Sequence, residues 1–125
     1  NYKRPTSGWD LAKIIGTWVN HKREHRRSLM ATFVSLITLT DQGIRDVKQS
    51  PERAEAFSAL AETLGVTVKA VYYTIGAYDM VVIAEGEDQA VVASVLATAA
   101  FGNLRTQTML AFSKDEMKAI VAKMG

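Results

Sequence analysis

An α+β fold, a single domain in which strands and helices alternate, is predicted by three observations. Runs rich in β-branched and aromatic residues recur at positions 32–39, 66–75, 80–85 and 104–112, each flanked by turn formers. Between them lie segments with helical apolar spacing and recognisable start and stop residues. The 125 residues, 48% hydrophobic and 22% charged, suit one globular domain with its own core and leave no room for a second.

The first strand is "TFVSLITL", Thr32 to Leu39, which runs into Thr40, Asp41 and Gly43. Asp41 to Lys48 is read as a helical turn or two. The first full helix comes from "SPERAEAFSALAETLG". Ser50 is positioned to cap it, Pro51 suits a first helical position where no N–H is needed, and Gly65 suits a left-handed stop. Ala54, Phe57, Leu60, Ala61 and Leu64 make one apolar stripe, which is expected to pack against another element.

The second strand is "VTVKAVYYTI", Val66 to Ile75, and the short Gly76–Asp79 link returns the chain antiparallel into a third, Met80 to Glu85. Glu87 or Asp88 starts the next helix, with Val91, Val92, Val95, Leu96 and Ala99 expected on its inner side and Gly102 at its end. Leu104 to Phe112 is the fourth strand. Ser113 and Glu116 have the spacing of a capping box, in which hydroxyl and carboxylate each satisfy an orphan N–H. The last helix then repeats Met117, Ile120, Val121 and Met124 on one face.

The order from Met30 onward is β-α-β-β-α-β-α. Right-handed crossovers turn it into a four-stranded antiparallel sheet with helices on one face, the ferredoxin-like arrangement. Both phases of strand 1 are apolar, Phe33, Ile37 and Leu39 against Val34 and Leu36; so are those of strand 3, Met80 and Val82 against Val81 and Ile83. A solvated antiparallel face would alternate with polar residues. The side without helices is therefore expected to pack on a second copy, giving a homodimer or larger homo-oligomer.

Residues 1–29 differ in composition. They carry seven Lys or Arg and two acidic residues, a net +5, whereas the other 96 residues carry eight basic and eleven acidic, a net −3. Residues 1–29 are expected to be a basic amphipathic N-terminal extension and residues 30–125 the domain. From Asp10 a helix places Leu11, Ile14, Ile15 and Trp18 on one side. Three uses compete: docking on its own domain or a neighbouring copy; binding nucleic acid or anionic lipid, the less expected; and upstream sequence that is only incidentally amphipathic. Its apolar stretch is too short, and its charge on the wrong side, for a secretory signal. "HKREH" at positions 21–25 has H-x-x-E-H spacing, but Lys22, Arg23, Arg26 and Arg27 around it oppose a divalent cation and no third ligand is evident, so no metal site is expected. No apolar run approaches the roughly 18 residues a membrane span needs. Cys is absent, which rules out disulfides and thiolate chemistry and suits the reducing cytoplasm expected for this chain.

Two short stretches, "GAYD" at the strand 2–3 turn and "GNLRTQT" opening strand 4, together with "TDQGIRDVKQSPERAEAF", make the chain resemble the GYD-domain family. The signature is split here as Gly76-Ala77-Tyr78-Asp79. The resemblance covers about Met30 to Gly125 and leaves residues 1–29 unexplained. It implies a dimeric α+β barrel and carries no assigned activity or cofactor. The same hairpin, "GAYDMVVIAEGED", resembles the ligand-binding module of leucine-responsive-type regulators, which implies small-molecule binding at subunit contacts.

Gly76, Tyr78, Asp79, Asn103, Arg105, Thr106 and Thr108 are the candidate ligand-binding residues. Gly76 permits backbone that a side chain opposes, Asp79 can bond turn amides, and Tyr78 offers a hydroxyl on an aromatic body. Arg105 and Asp79 would satisfy one another as a bidentate pair if both were buried. On the plainer reading this set only locks the hairpin to its neighbour strand; on the functional one it surrounds a small-ligand pocket between sheet and helices. The expected function is a homo-oligomeric small-molecule binding or sensory module. A cofactor-independent monooxygenase- or isomerase-like enzyme is one alternative, with Tyr78 and Asp79 the few groups able to move protons, and a self-assembling structural protein is another.

Overall fold

The computed structural model describes the backbone of residues 8–125 and the side chains of residues 11–21 and 30–125. Among these, the order is α1 (Gly8–Leu29), β1 (Met30–Leu39), α2 (Asp41–Arg45), a 3-10 turn (Val47–Gln49), α3 (Ser50–Thr63), β2 (Thr67–Tyr73), β3 (Met80–Glu87), α4 (Asp88–Ala99), β4 (Leu104–Ala111) and α5 (Lys114–Ala122). The four strands form one antiparallel sheet in the order β2-β3-β1-β4. The chain is therefore α+β, with the two central strands, β1 and β3, separated in sequence by α3 and β2.

Residue phase divides the sheet into two faces. Phe33 lies opposite Ala84 and Leu110, and Ile37 opposite Met80 and Thr106, so these residues share the side on which α3 and α4 pack. The core sits there in two groups. Ala61, Val66, Ala84 and Val91 are buried with Phe33, Phe57 and Val95 against them, and Ile37, Met80 and Val82 are buried with Leu39, Val71 and Leu104. Gly86 sits between Val66 and Val91, where an added Cβ would lie 3.1 Å from the nearer side chain. The opposite face presents Val34, Leu36, Val81 and Ile83, all half-buried, with Tyr72 and Met109 exposed beside them.

Local signals account for several element ends. Gly65 and Gly102 have φ of 81° and 84°, the left-handed region in which a side chain is strained, and each ends a helix. Ser113 and Glu116 form the reciprocal capping box of α5.

Ser50 does not cap α3. The 3-10 turn feeds straight into the helix, the N-cap is Gln49 without a side-chain bond, and the Ser50 hydroxyl instead meets the Tyr73 hydroxyl at 3.0 Å. The buried side of α4 also differs from the expected one. Val91 and Ser94 are buried while Val92 and Leu96 are exposed; the helix is apolar nearly all round, so hydrophobicity alone does not fix its rotation. In α3, likewise, Ala61 is buried while Leu60 and Leu64 stay exposed on its shoulder. β2 stops at Tyr73, two residues short of expectation, because Thr74 turns into the hairpin.

α1 runs directly into β1, and Leu11, Ile14 and Ile15 on it are exposed. His21 is exposed, and the remainder of the His21–His25 pattern has side chains outside the described residues.

Candidate functional site

Between the sheet and helices α3 and α4 lies a cavity of about 350 Å³. Its floor is the helix-facing phase of the central strands, Ile37, Met80 and Val82, and its roof is Ala54, Phe57 and Val95. Strand alternation and helix rotation together create it. Small residues on the roof, Ala54 and Ser94, leave space that larger ones would fill.

The cavity carries few polar groups, and these are ordered. Ser35 Oγ and Thr108 Oγ1 are 2.8 Å apart, and Thr108 Oγ1 is 2.8 Å from Thr106 Oγ1, a ladder of three hydroxyls of which Ser35 and Thr106 line the space. Three hydroxyls own three hydrogens and the ladder uses two, so one remains to donate to an oxygen outside the ladder. On the roof, Ser94 and Thr98 donate to the carbonyls of Ala90 and Ser94 within their own helix and retain accepting lone pairs. Arg53 is the one charged side chain in the lining. Its Nη1 donates to the Asp46 carbonyl oxygen at 3.1 Å.

The candidate residues fall into separate groups. Asn103 and Thr106 line the cavity, and Thr108 belongs to the hydroxyl ladder beside it. Tyr78 lies on the other side of the sheet. Its hydroxyl donates to Gln107 Oε1 at 3.1 Å, so the side chain reaches from the start of β3 across β1 to β4. Arg105 is exposed on that same face opposite Thr38. It does not meet Asp79: β1 runs between them, and the ion pairs among the described residues are Lys69–Glu85 and Lys118–Asp115.

Asp79 instead ties the hairpin to β1. Its N–H donates to the Ile37 carbonyl at 2.8 Å, its Oδ2 accepts from the Leu39 N–H at 2.8 Å, and its carbonyl accepts from Thr74 N–H at 2.9 Å. The Thr74 hydroxyl adds a bond to the Tyr78 carbonyl at 2.6 Å. Gly76 sits at the tip with φ of 155° and open space around it, so its requirement is conformational and not steric.

A further position carries the far wall. Thr40 N–H donates to the Asn103 carbonyl at 3.1 Å, Thr40 Oγ1 to the Gly102 carbonyl at 2.6 Å, and Gln42 Nε2 to Asn103 Oδ1 at 2.9 Å. This close docking requires Gly43, because a Cβ there would overlap the Asn103 carbonyl oxygen. The glycine beside a helix start in "TDQG" was the visible sequence signal; the turn it presses against was not. Among the described residues no group of three or more His, Cys, Asp or Glu side chains is disposed to hold a metal ion, and no helix is long and apolar enough to cross a membrane.

Comparison with known proteins adds two findings. The GYD domain family matches residues 33–121. A Thermus thermophilus protein named "Glutamine synthetase and cystathionine beta-lyase binding protein" is 42% identical over 92 residues, covering 72% of this chain and 97% of that protein. No solved structure gives a significant match. The family match takes in the Asp79 clamp, the cavity and the Gly43 docking site in one continuous span, and the chain belongs to the GYD-domain family.

Proposed function

We propose that this chain is a binding module that holds a small, mainly apolar molecule between its sheet and helices and works as a homo-oligomer. The cavity of about 350 Å³ with its hydroxyl ladder carries this reading, because it joins an apolar interior to a few convergent polar groups. Thr106 and Asn103 contact the ligand, and Thr108 orients Thr106. Gly76 and Asp79 shape the hairpin. Tyr78 and Arg105 belong to the opposite face and act in assembly. The test is a thermal-shift panel of aliphatic and aromatic acids, amides and alcohols against the wild type and Ala54→Phe, which fills the roof. Stabilisation by any of them that Ala54→Phe abolishes supports the reading; none, or an equal effect in both proteins, refutes it.

Self-association uses the opposite face, read here as the open side of a ferredoxin-like sheet that a second copy covers to form a dimeric α+β barrel. Half-buried Val34, Leu36, Val81 and Ile83 form an apolar centre, and Arg105, Gln107, Glu85 and Lys69 form a polar rim, the anatomy of a protein interface. Residues 30–125 act as the domain, and the basic N-terminal segment docks on a copy of it, with opposite net charges favouring the contact.

The relative's name favours a second component, recognition of partner enzymes. Glutamine synthetase and cystathionine β-lyase are the first to try, by co-elution with the purified chain. Co-elution that persists at high salt supports it, and separate elution of all components counts against it.

A further inference from the structure

Arg53 gives the cavity a sign. It is half-buried in the first turns of α3, and it is the sole charged group in a lining otherwise made of aliphatic, aromatic, thioether, hydroxyl and amide side chains. Its guanidinium has five N–H donors, of which Nη1 is engaged with the Asp46 carbonyl. No carboxylate of the described residues pairs with it, since the ion pairs there are Lys69–Glu85 and Lys118–Asp115. Fixing one guanidinium nitrogen on a backbone carbonyl limits where the rest of the group can point, so its remaining donors are partly pre-organised at low entropic cost. A cation at the edge of an apolar space favours an occupant with a negative head and an apolar body.

We propose that the cavity takes a small apolar carboxylic acid, its carboxylate paired with Arg53 at the rim and its body over Ile37, Met80 and Val82. The proposal rests on the cavity being a ligand site, and it adds the ligand's charge. A carboxylate matches the planar guanidinium fork and gains charge-assisted hydrogen bonds there; the amide of the same length has the same body and no charge. Discrimination between acid and amide therefore isolates Arg53 from the rest of the cavity.

The experiment titrates the full chain with hexanoate and with hexanamide by calorimetry, for the wild type, Arg53→Gln and Ala54→Phe. Hexanoate is expected to bind the wild type roughly tenfold or more tightly than hexanamide, the range of one charge-assisted interaction. Arg53→Gln should bring the two to within about twofold while hexanamide binding stays, and Ala54→Phe should abolish both. Equal affinity of the wild type for acid and amide, or a preference for the acid that survives Arg53→Gln, overturns the carboxylate assignment and leaves the cavity as a ligand site. Absence of binding by either compound to the wild type overturns both. Circular dichroism of Arg53→Gln confirms that any loss is not unfolding.

Discussion

Gly43→Ala should unlock the far wall of the cavity. The added methyl would overlap the Asn103 carbonyl oxygen, which is backbone and has no rotamer to relieve the clash. The α2 turn and the 101–103 turn must therefore separate. That separation breaks the Thr40 N–H bond to Asn103 and the Thr40 hydroxyl bond to Gly102, and weakens the two Gln42 Nε2 bonds to Asn103 Oδ1 and the Phe101 carbonyl. At about 1 kcal/mol net for each of the better-formed bonds, the loss is about 2–3 kcal/mol. For a domain of this size that lowers the unfolding midpoint by roughly 10 °C or more. The assays are thermal and urea denaturation followed by circular dichroism, with Gly16→Ala as the control, because Gly16 is exposed in a helix with nothing near its added Cβ. The control should be neutral or stabilising by up to about 1 kcal/mol. A Gly43→Ala protein within about 0.5 kcal/mol of wild type would refute the docking argument.

Asp79→Ala strips the Leu39 N–H of its acceptor at a part-buried position, so stability should fall by about 1–3 kcal/mol, as denaturant titration will read; no loss would mean that water replaces the carboxylate. Leu36→Glu puts a charge at the centre of the open sheet face; on the proposed assembly, multi-angle light scattering should show an oligomeric wild type and a monomeric variant, whereas a monomeric wild type, or an oligomer that Leu36→Glu leaves intact, would refute it. Tyr73→Phe removes the hydroxyl partner of Ser50, a residue only 5% exposed, and should cost about 1 kcal/mol in thermal unfolding, whereas Tyr72→Phe on the other phase of β2 should cost nothing.

The strands were readable because β-branched runs and turn glycines agree along the chain, and the Ser113–Glu116 capping box and the stops at Gly65 and Gly102 were readable because each depends on chemistry within a few residues. What depended on rotation or on distant neighbours was not. α4 reads as apolar on every side, so nothing local tells Val92 and Leu96, which face out, from Ser94, which is buried. Ser50 has the identity of a cap, yet the 3-10 turn before it carries the helix start upstream and frees its hydroxyl for Tyr73. Tyr78 and Asp79 are adjacent in the signature, yet both leave an irregular turn ahead of β3, where strand phase does not say which way a side chain points; the tyrosine hydroxyl reaches Gln107 on the open face while the carboxylate ends on the Leu39 amide. Arg53 was invisible as a site residue because only the packing of α3 brings it to the cavity.

The proposed ligand site is tested most directly by methyl NMR of the full chain titrated with hexanoate. Neighbouring residues of one strand serve as internal controls, since Val82 faces the cavity and Val81 the opposite side. Shifts at Ile37, Val71, Val82 and Val91 with Val34, Leu36, Val81 and Ile83 unmoved are the predicted result. Shifts confined to the second set, or none at millimolar hexanoate, would contradict it.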